Sequence, residues 1–372
     1  MISYTGIALL FLLGILLRMH VSTVTSDMRF FLIPWYDYLQ YRGILKALGD
    51  NFSNYTPPYT YLLALMTLTV SFLPKVTAIK LISISADFIN AFLVYKIVRL
   101  KYPSGLAPFW AAGAFLCLPT IFINSAIWGQ ADALYTVFLL AGLYFFLKEK
   151  PLWGMLAFSV SFAFKAQAIF LAPFLAVLFF KKQIKIWQFF LVPAVYILLC
   201  LPVVLLGRSW VDVLTIYLNQ SETFHWLSAN APNIYIFISN RYYQPGVVVG
   251  LIVALIGIST WIALSVMGNK SFSRERLVLF ALVSVSLLPF LLPKMHERYF
   301  YPADVFSLVA AFFMPELWFV PIAYQVISGL SYTVYMLHAS VTNVYIGAVV
   351  NVVIIAFLLW KQIRASSRAV RC

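Results

Sequence analysis

Five clusters of basic residues punctuate an otherwise apolar chain, and this pattern restricts the possible folds more than any other feature of the sequence. The clusters are Lys96, Arg99 and Lys101; Lys148 and Lys150; Lys181, Lys182 and Lys185; Lys270, Arg274 and Arg276; and the stretch from Lys361 to Arg371. Lysine and arginine gathered in short segments between apolar runs mark the cytoplasmic loops of polytopic membrane proteins. With all five clusters on one side, every interval between them must hold an even number of crossings. Each interval complies.

Between 101 and 148 the chain is expected to leave through 105 to 123, expose Trp128-Gly129-Gln130-Ala131-Asp132, and return through 132 to 147. From 151 to 180 a hairpin turns near Lys165 and Gln167, with Pro173 interrupting its returning arm. Two spans between 187 and 267 flank a second large external loop, 208 to 245. The last interval leaves through 277 to 293 and presents Lys294-Met295-His296-Glu297-Arg298. It then returns through 302 to 314, leaves through 317 to 335 and returns through 341 to 360, ahead of a basic cytoplasmic tail, 361 to 372.

The start of the chain follows from the same parity. Met1 to Leu17 has no basic leading region and no small-residue cleavage site, so it is expected to be a retained first span. If that span goes outward and 79 to 98 comes inward, the short apolar run Tyr59 to Leu73 is no full crossing. It then belongs, as a juxtamembrane helix, to a first external loop covering 18 to 80; the alternative, with this run crossing, flips the N-terminus. The expectation is an all-α polytopic protein, one integral membrane domain over 1–372, with about twelve crossings. Both termini are expected in the cytoplasm, and a bacterial plasma membrane is the expected location.

Composition excludes the competing classes. A chain with 63% hydrophobic and 10% charged residues would present far too much apolar surface to water to be a soluble domain. The net charge of +14 would suit a nucleic-acid partner, but topology accounts for most of it, and no such partner is expected. Aromatic residues make up 17%, which suits lipid contact and interfacial anchoring. Cys117 and Cys200 lie inside apolar segments and Cys372 is the last residue, so no disulfide framework or metal set follows. Asn51-Phe52-Ser53 and Asn54-Tyr55-Thr56 are formal glycosylation sequons.

On this topology the polar motifs fall on one face: Asp27, Gln130 with Asp132, Lys165 with Gln167, and His296 with Arg298. Ionisable groups near membrane-embedded helix ends are costly and tend to mark a site or pathway. Asp27 read alone is either a solvated loop carboxylate or a general base. Asp37, among Trp35, Tyr36 and Tyr38, fits the polar side of an interfacial helix, and its distance from Asp27 is no metal-ligand spacing. Tyr55-Thr56-Pro57-Pro58-Tyr59 reads as a stiff entry into a helix, with Tyr55 at the pocket wall. Asp132 either caps the helix it begins or joins Gln130 in holding a sugar. Lys165, apolar on both sides, either snorkels to the interface or meets an anion such as phosphate. His296-Glu297-Arg298 puts cationic side chains where the positive-inside rule disfavours them, and an Arg beside a His suits a phosphate gaining charge.

Asp27, Asn54-Tyr55-Thr56-Pro57-Pro58-Tyr59-Thr60-Tyr61, Lys165-Ala166-Gln167 and Met295-His296-Glu297-Arg298 occur in the order seen in GT-C glycosyltransferases that use polyprenyl-phosphate sugars. Over roughly residues 20 to 305 the chain resembles the dolichyl-phosphate-glucose glucosyltransferases of N-glycan assembly and bacterial relatives of the second GPI mannosyltransferase. The resemblance implies a GT-C fold and a general base at Asp27. It implies donor-phosphate contacts at Lys165, His296 and Arg298, with Gln130, Asp132, Gln167 and Tyr55 around the donor sugar or pocket. Ser26-Asp27-Met28 departs from the DxD-bearing members, so neither a metal nor another cofactor is carried over.

The implied reaction is inverting transfer of a hexose, glucose or mannose, from a polyprenyl-phosphate donor to a hydroxyl of a glycan, lipid or other acceptor at the external face. A glycosidase needs a second carboxyl group to protonate its leaving group, whereas a lipid phosphate leaves without one. One carboxylate with cationic phosphate contacts is therefore a sufficient set. Glu222, His225 and Trp226 in the 208 to 245 loop are assigned to the acceptor. A lipid or sugar transporter or flippase is the alternative, although no internal repeat of the kind transporters show is visible; a scaffold subunit with a decayed site is a third reading.

Overall fold

The computed structural model describes residues 2–267 and 273–367. Lys270, Cys372 and the end of the basic tail, with Arg368 and Arg371, lie outside the described residues. The described chain is almost entirely helical, and the only paired strands are two residues each, Ser228–Ala229 and Met295–His296. Its tertiary contacts fall into two compact units, one of residues 1–168 and 186–223, the other of 169–185 and 224–372.

The first unit is built on the 25-residue helix Lys75–Arg99. Against it pack Ala107–Cys117, Asp132–Leu147 and Pro57–Thr67; Pro151–Phe164 packs on Asp132–Leu147, and Leu191–Leu205 on Pro151–Phe164. Ile2–Leu17 lies on Ala107–Cys117, and the contact depends on Gly14, where an added Cβ would stand 2.6 Å from Leu116 Cβ. Such close approach is how apolar helices associate when lipid competes equally for their side chains. At the end of that first helix Arg18 turns inward, donating to Asp87 and to the carbonyls of Gly14 and Leu116, all within 2.8 Å.

The expected first external loop is a string of short helices, Met28–Leu32, Ile33–Arg42, Ile44–Gly49 and Pro57–Thr67. The two prolines open the last of these in its first turn, where a missing N–H breaks no helical bond. At eleven residues it is too short to span a bilayer. The next helix starts at Lys75, so the loop ends before Lys80, and Lys80 is a helical residue. Asp37 pairs with Lys75 on the surface of this region. Nearby, Tyr38 and Arg42 donate to Asp50, and these bonds hold its carboxyl below its ordinary pKa.

The expected crossing at 105 to 123 is a bent pair, Ala107–Cys117 and Pro119–Trp128, with a 52° angle between them. Pro119 explains the break, because the residue before a proline, here Leu118, is pushed out of the helical region. The hairpin at 151 to 180 breaks at Lys165, whose backbone is extended, and continues as the 3-10 turn Ala166–Leu171. Pro173 does not interrupt the returning arm; it sits in the first turn of Ala172–Phe180.

In the second unit Ala172–Phe180, Tyr243–Val266, Arg274–Leu291, Tyr301–Phe313, Phe319–Leu337 and Thr342–Ser367 pack as neighbours. Ser273 caps Arg274–Leu291 by accepting from the Arg276 N–H. The segment 230–233 is pinned by two side chains from surrounding helices and by one of its own. Ser331 donates to Asn230 O, Asn351 to Pro232 O, and Asn233 itself to Leu292 O.

Five helices among the described residues are long and apolar enough to cross a membrane, and six if the bent pair is one span. They are Lys75–Arg99, Ile186–Leu205, Asn240–Val266, Pro315–Leu337 and Thr342–Arg364. Shorter apolar helices occupy 4–17, 132–147, 151–164, 166–180 and 301–313. Arg274–Leu291 carries Arg274, Glu275 and Arg276 in its first turn. The 208 to 245 stretch is not plain loop: it opens with the helix Trp210–Ser221, capped by Ser209.

Candidate functional site

The site in the first unit is organised by the segment 123–133. Ile123–Trp128 is a wide π-type turn that ends at Gly129, in the left-handed region at φ +78°. A side chain there would be strained, and a Cβ would meet Met28 Sδ at 3.1 Å and Lys80 Cγ at 3.4 Å. The turn lets Gln130 N–H reach back to Asn124 O at 2.9 Å, which aims the Trp128 and Gln130 side chains together.

Both aim at Asp27. Trp128 Nε1 donates to Asp27 Oδ2 at 3.0 Å and Gln130 Nε2 donates to the same oxygen at 2.5 Å. Trp128 and Gln130 are buried while Asp27 is half-buried, so two buried donors fix one oxygen of a carboxylate that is still partly exposed. Tyr55 comes to the same place, its hydroxyl 3.5 Å from Gln130 Oε1. Its ring continues an aromatic row, 5.1 Å from Trp35 and 4.8 Å from Tyr59 between centroids. The loop carrying Tyr55 is tied down by Gln220, which donates to Asn54 O, and by Thr56, which donates to Phe164 O. Buried Arg208 holds the same loop through Asn51 Oδ1 at 2.7 Å, and burial depresses its guanidinium pKa.

Asp132 neither caps its helix nor faces the aromatic row. It is wholly buried, accepting from Lys165 Nζ at 2.5 Å and from Asn124 Nδ2 at 2.9 Å. Lys165 therefore already has an anion, and its ammonium also lies 5.7 Å from the Tyr135 ring centroid. Gln167 is buried, and its Oε1 has no hydrogen-bond partner among the described residues. Phe164, next to Lys165, lines an apolar cavity of about 550 Å³ with Leu62, Met66, Ile82, Leu134 and Phe138.

His296 and Arg298 belong to the second unit. Arg298 donates to the buried Glu297 at 2.9 Å, and His296 Nδ1 lies 3.9 Å from the same carboxylate. The strand pairing of Ser228–Ala229 with Met295–His296 fixes the backbone there, and the imidazole sits between the rings of Phe224 and Tyr299. Glu297, given no role by the sequence motif, is the carboxylate that both side chains approach. Glu222 is exposed at the end of Trp210–Ser221 in the first unit, and His225 and Trp226 are exposed in the second.

Sequence reasoning passed over the polar ridge of Lys75–Arg99. Lys80, Ser83, Asp87 and Asn90 are all buried on one helical face and bind the 123–133 segment or the chain before Asp27. Ser83 donates to Gln130 O, Asn90 to Ala133 O, and Asp87 accepts from Ser125 and Arg18. The signal was present as polar residues three and four apart inside an apolar run.

No protein-family model matches the chain, and no curated protein matches it. The functional reading therefore rests on the residues and their geometry.

Proposed function

We propose that the chain is an inverting, metal-independent glycosyltransferase of GT-C type that moves a hexose from a polyprenyl-phosphate donor to an acceptor hydroxyl. Asp27 is the general base. The observation that carries this reading is the clasp at Asp27: a half-buried carboxylate with one oxygen fixed by Trp128 and Gln130, and an aromatic wall at Tyr55. A base must be held within reach of the proton it takes, and donors on one oxygen orient the carboxylate without covering it. Aromatic faces beside a carboxylate suit a sugar ring, whose C–H faces stack while its hydroxyls hydrogen-bond.

In the first unit a donor-phosphate contact is assigned to Lys165, which would share its charge between the phosphate and Asp132; in the second unit His296 and Arg298, beside Glu297, are the other side chains that the resemblance implies for phosphate. Gln167, with an unsatisfied buried oxygen, fits a hydroxyl donor of the sugar. The cavity beside Phe164 has the apolar lining an isoprenoid chain requires. In the reaction Asp27 takes the acceptor hydroxyl's proton, the oxygen attacks the anomeric carbon, and the bond to the lipid phosphate breaks with its electron pair leaving on phosphate. About twelve crossings, both termini cytoplasmic and the Asp27 site on the external face of a bacterial plasma membrane complete the reading.

The test is transfer by purified protein offered synthetic polyprenyl-phosphate-glucose and polyprenyl-phosphate-mannose with a panel of glycan and lipid acceptors. Transfer with inversion from either donor supports the proposal; binding without transfer under all acceptors removes it. The buried Arg18–Asp87 pair is the one feature that favours a transporter instead, since such pairs line transport pathways. Translocation of a labelled lipid-linked sugar across reconstituted vesicles, without chemical transfer, would establish that reading.

A further inference from the structure

We infer that Lys80 is a positioning residue for the Asp27 carboxylate. Its catalytic consequence rests on the proposed role of Asp27, while its geometric consequence does not. Lys80 is fully buried on Lys75–Arg99, and its ammonium donates to Thr23 O at 2.6 Å and to Ile127 O at 2.9 Å. Thr23 lies four residues before Asp27, and Ile127 immediately precedes Trp128. One side chain thus joins the backbone that carries the carboxylate to the backbone that carries both of its donors.

Along the same ridge Ser83 and Asn90 donate to the 123–133 segment, and Asp87 joins Ser125 of that segment to Arg18 at the end of the first helix. Thr25 adds a bond from its hydroxyl to Trp128 O at 3.1 Å, a second stitch between the two segments placed nearer Asp27. The Lys80 stem also packs where Gly129 and the buried Met28 meet, so the residue next to Asp27 rests on the turn that aims Trp128 and Gln130. A buried ammonium is strongly penalised unless hydrogen-bonded, so Lys80 holds its two carbonyls firmly. Without the ammonium, the two carbonyls lose their shared donor and the two segments are held less tightly, by the Thr25 bond and the Asp27 clasp alone among the bonds described.

The experiment uses the full chain in detergent or nanodiscs, labelled with 5-fluorotryptophan. The fluorine resonance of Trp128 is assigned by its loss in Trp128→Phe. Asp27→Asn then marks the shift that follows when the indole N–H faces an amide in place of the carboxylate. Lys80→Met keeps the stem and removes the donor; its Trp128 resonance should move away from the wild-type position or split. Lys80→Arg, which restores a cationic donor, should return it toward wild type. Where transfer is assayable, Lys80→Met should lower kcat about tenfold with the donor KM within about twofold, because alignment of the base matters in the transition state. A wild-type Trp128 resonance in Lys80→Met, in a sample with wild-type helicity and melting behaviour, overturns the inference. If Lys80→Met does not accumulate, Lys80→Gln carries the same comparison. A wild-type protein inactive on both donors removes the catalytic reading and leaves the spectroscopic result to decide this one.

Discussion

Two aspartates are held by the same short segment and in opposite ways. Trp128 and Gln130 donate to Asp27, which is half-buried; Asn124 and Lys165 donate to Asp132, which is wholly buried. The segment from Asn124 to Asp132 thus serves two ends: Trp128 and Gln130 in its middle orient the carboxylate proposed as the base, while Asn124 and Asp132 at its limits form the structural cluster with Lys165. An accessible carboxylate oriented by neutral donors is suited to proton transfer, whereas a carboxylate bonded to a buried ammonium is committed to the fold. Sequence position would not have separated them, since both stand at the edge of an apolar helix.

The structural end should give the largest effect. Lys165→Met or Asp132→Asn alone leaves its partner's charge buried and uncompensated, which costs about 3–5 kcal/mol. The double variant should recover most of that loss, and thermal or denaturant unfolding in detergent decides it. Equal destabilisation by the double variant would mean that the pair is not the structural element it is taken to be.

Gln130→Leu comes next. It removes a donor to Asp27 while the backbone bond to Asn124 remains, so turnover should drop about tenfold to a hundredfold, corresponding to about 1–3 kcal/mol. Stability should change little, because the amide serves the partly exposed carboxylate. A loss of stability matching the Lys165 variants would erase the contrast between the two ends. Tyr55→Phe should give the smallest change. Its hydroxyl is 3.5 Å from Gln130 Oε1, at the limit of a hydrogen bond, and the ring's tilted and edge-on contacts with Trp35 and Tyr59 survive. A reduction of about threefold or less in transfer is expected, and Tyr55→Ala, which removes the ring, should cost more.

Much of the helical framework was legible in the sequence, for definite reasons. Pro57 and Pro58 mark a helix start and the polar residues at Lys165 a turn, and the structure has a helix start and a break there; Pro119, inside the crossing expected over 105 to 123, breaks that helix instead. The site was legible only in part. Asp27 and Gln130 are 103 residues apart, and nothing local shows that a π-type turn closed by Gly129 brings them together. Lys165 reads from the sequence as either snorkelling to the interface or meeting an anion such as phosphate; the anion it meets in the structure is Asp132, whose own reading is divided between a cap and a sugar contact. Lys80 was missed because it was placed at the edge of a loop. One turn inside a helix, the same lysine must find partners within the protein, and it finds them on both segments of the clasp.

The central claim is that Asp27 removes the acceptor's proton in hexose transfer from a polyprenyl phosphate. The most direct measurement sets wild type beside Asp27→Asn, following donor binding and single-turnover transfer from polyprenyl-phosphate-glucose and polyprenyl-phosphate-mannose. Asparagine keeps the shape and an oxygen for Trp128 and Gln130 but cannot accept the proton. Donor affinity within about threefold of wild type, with the transfer rate down by about a hundredfold to ten-thousandfold, is the predicted result. Unchanged transfer in Asp27→Asn would contradict it.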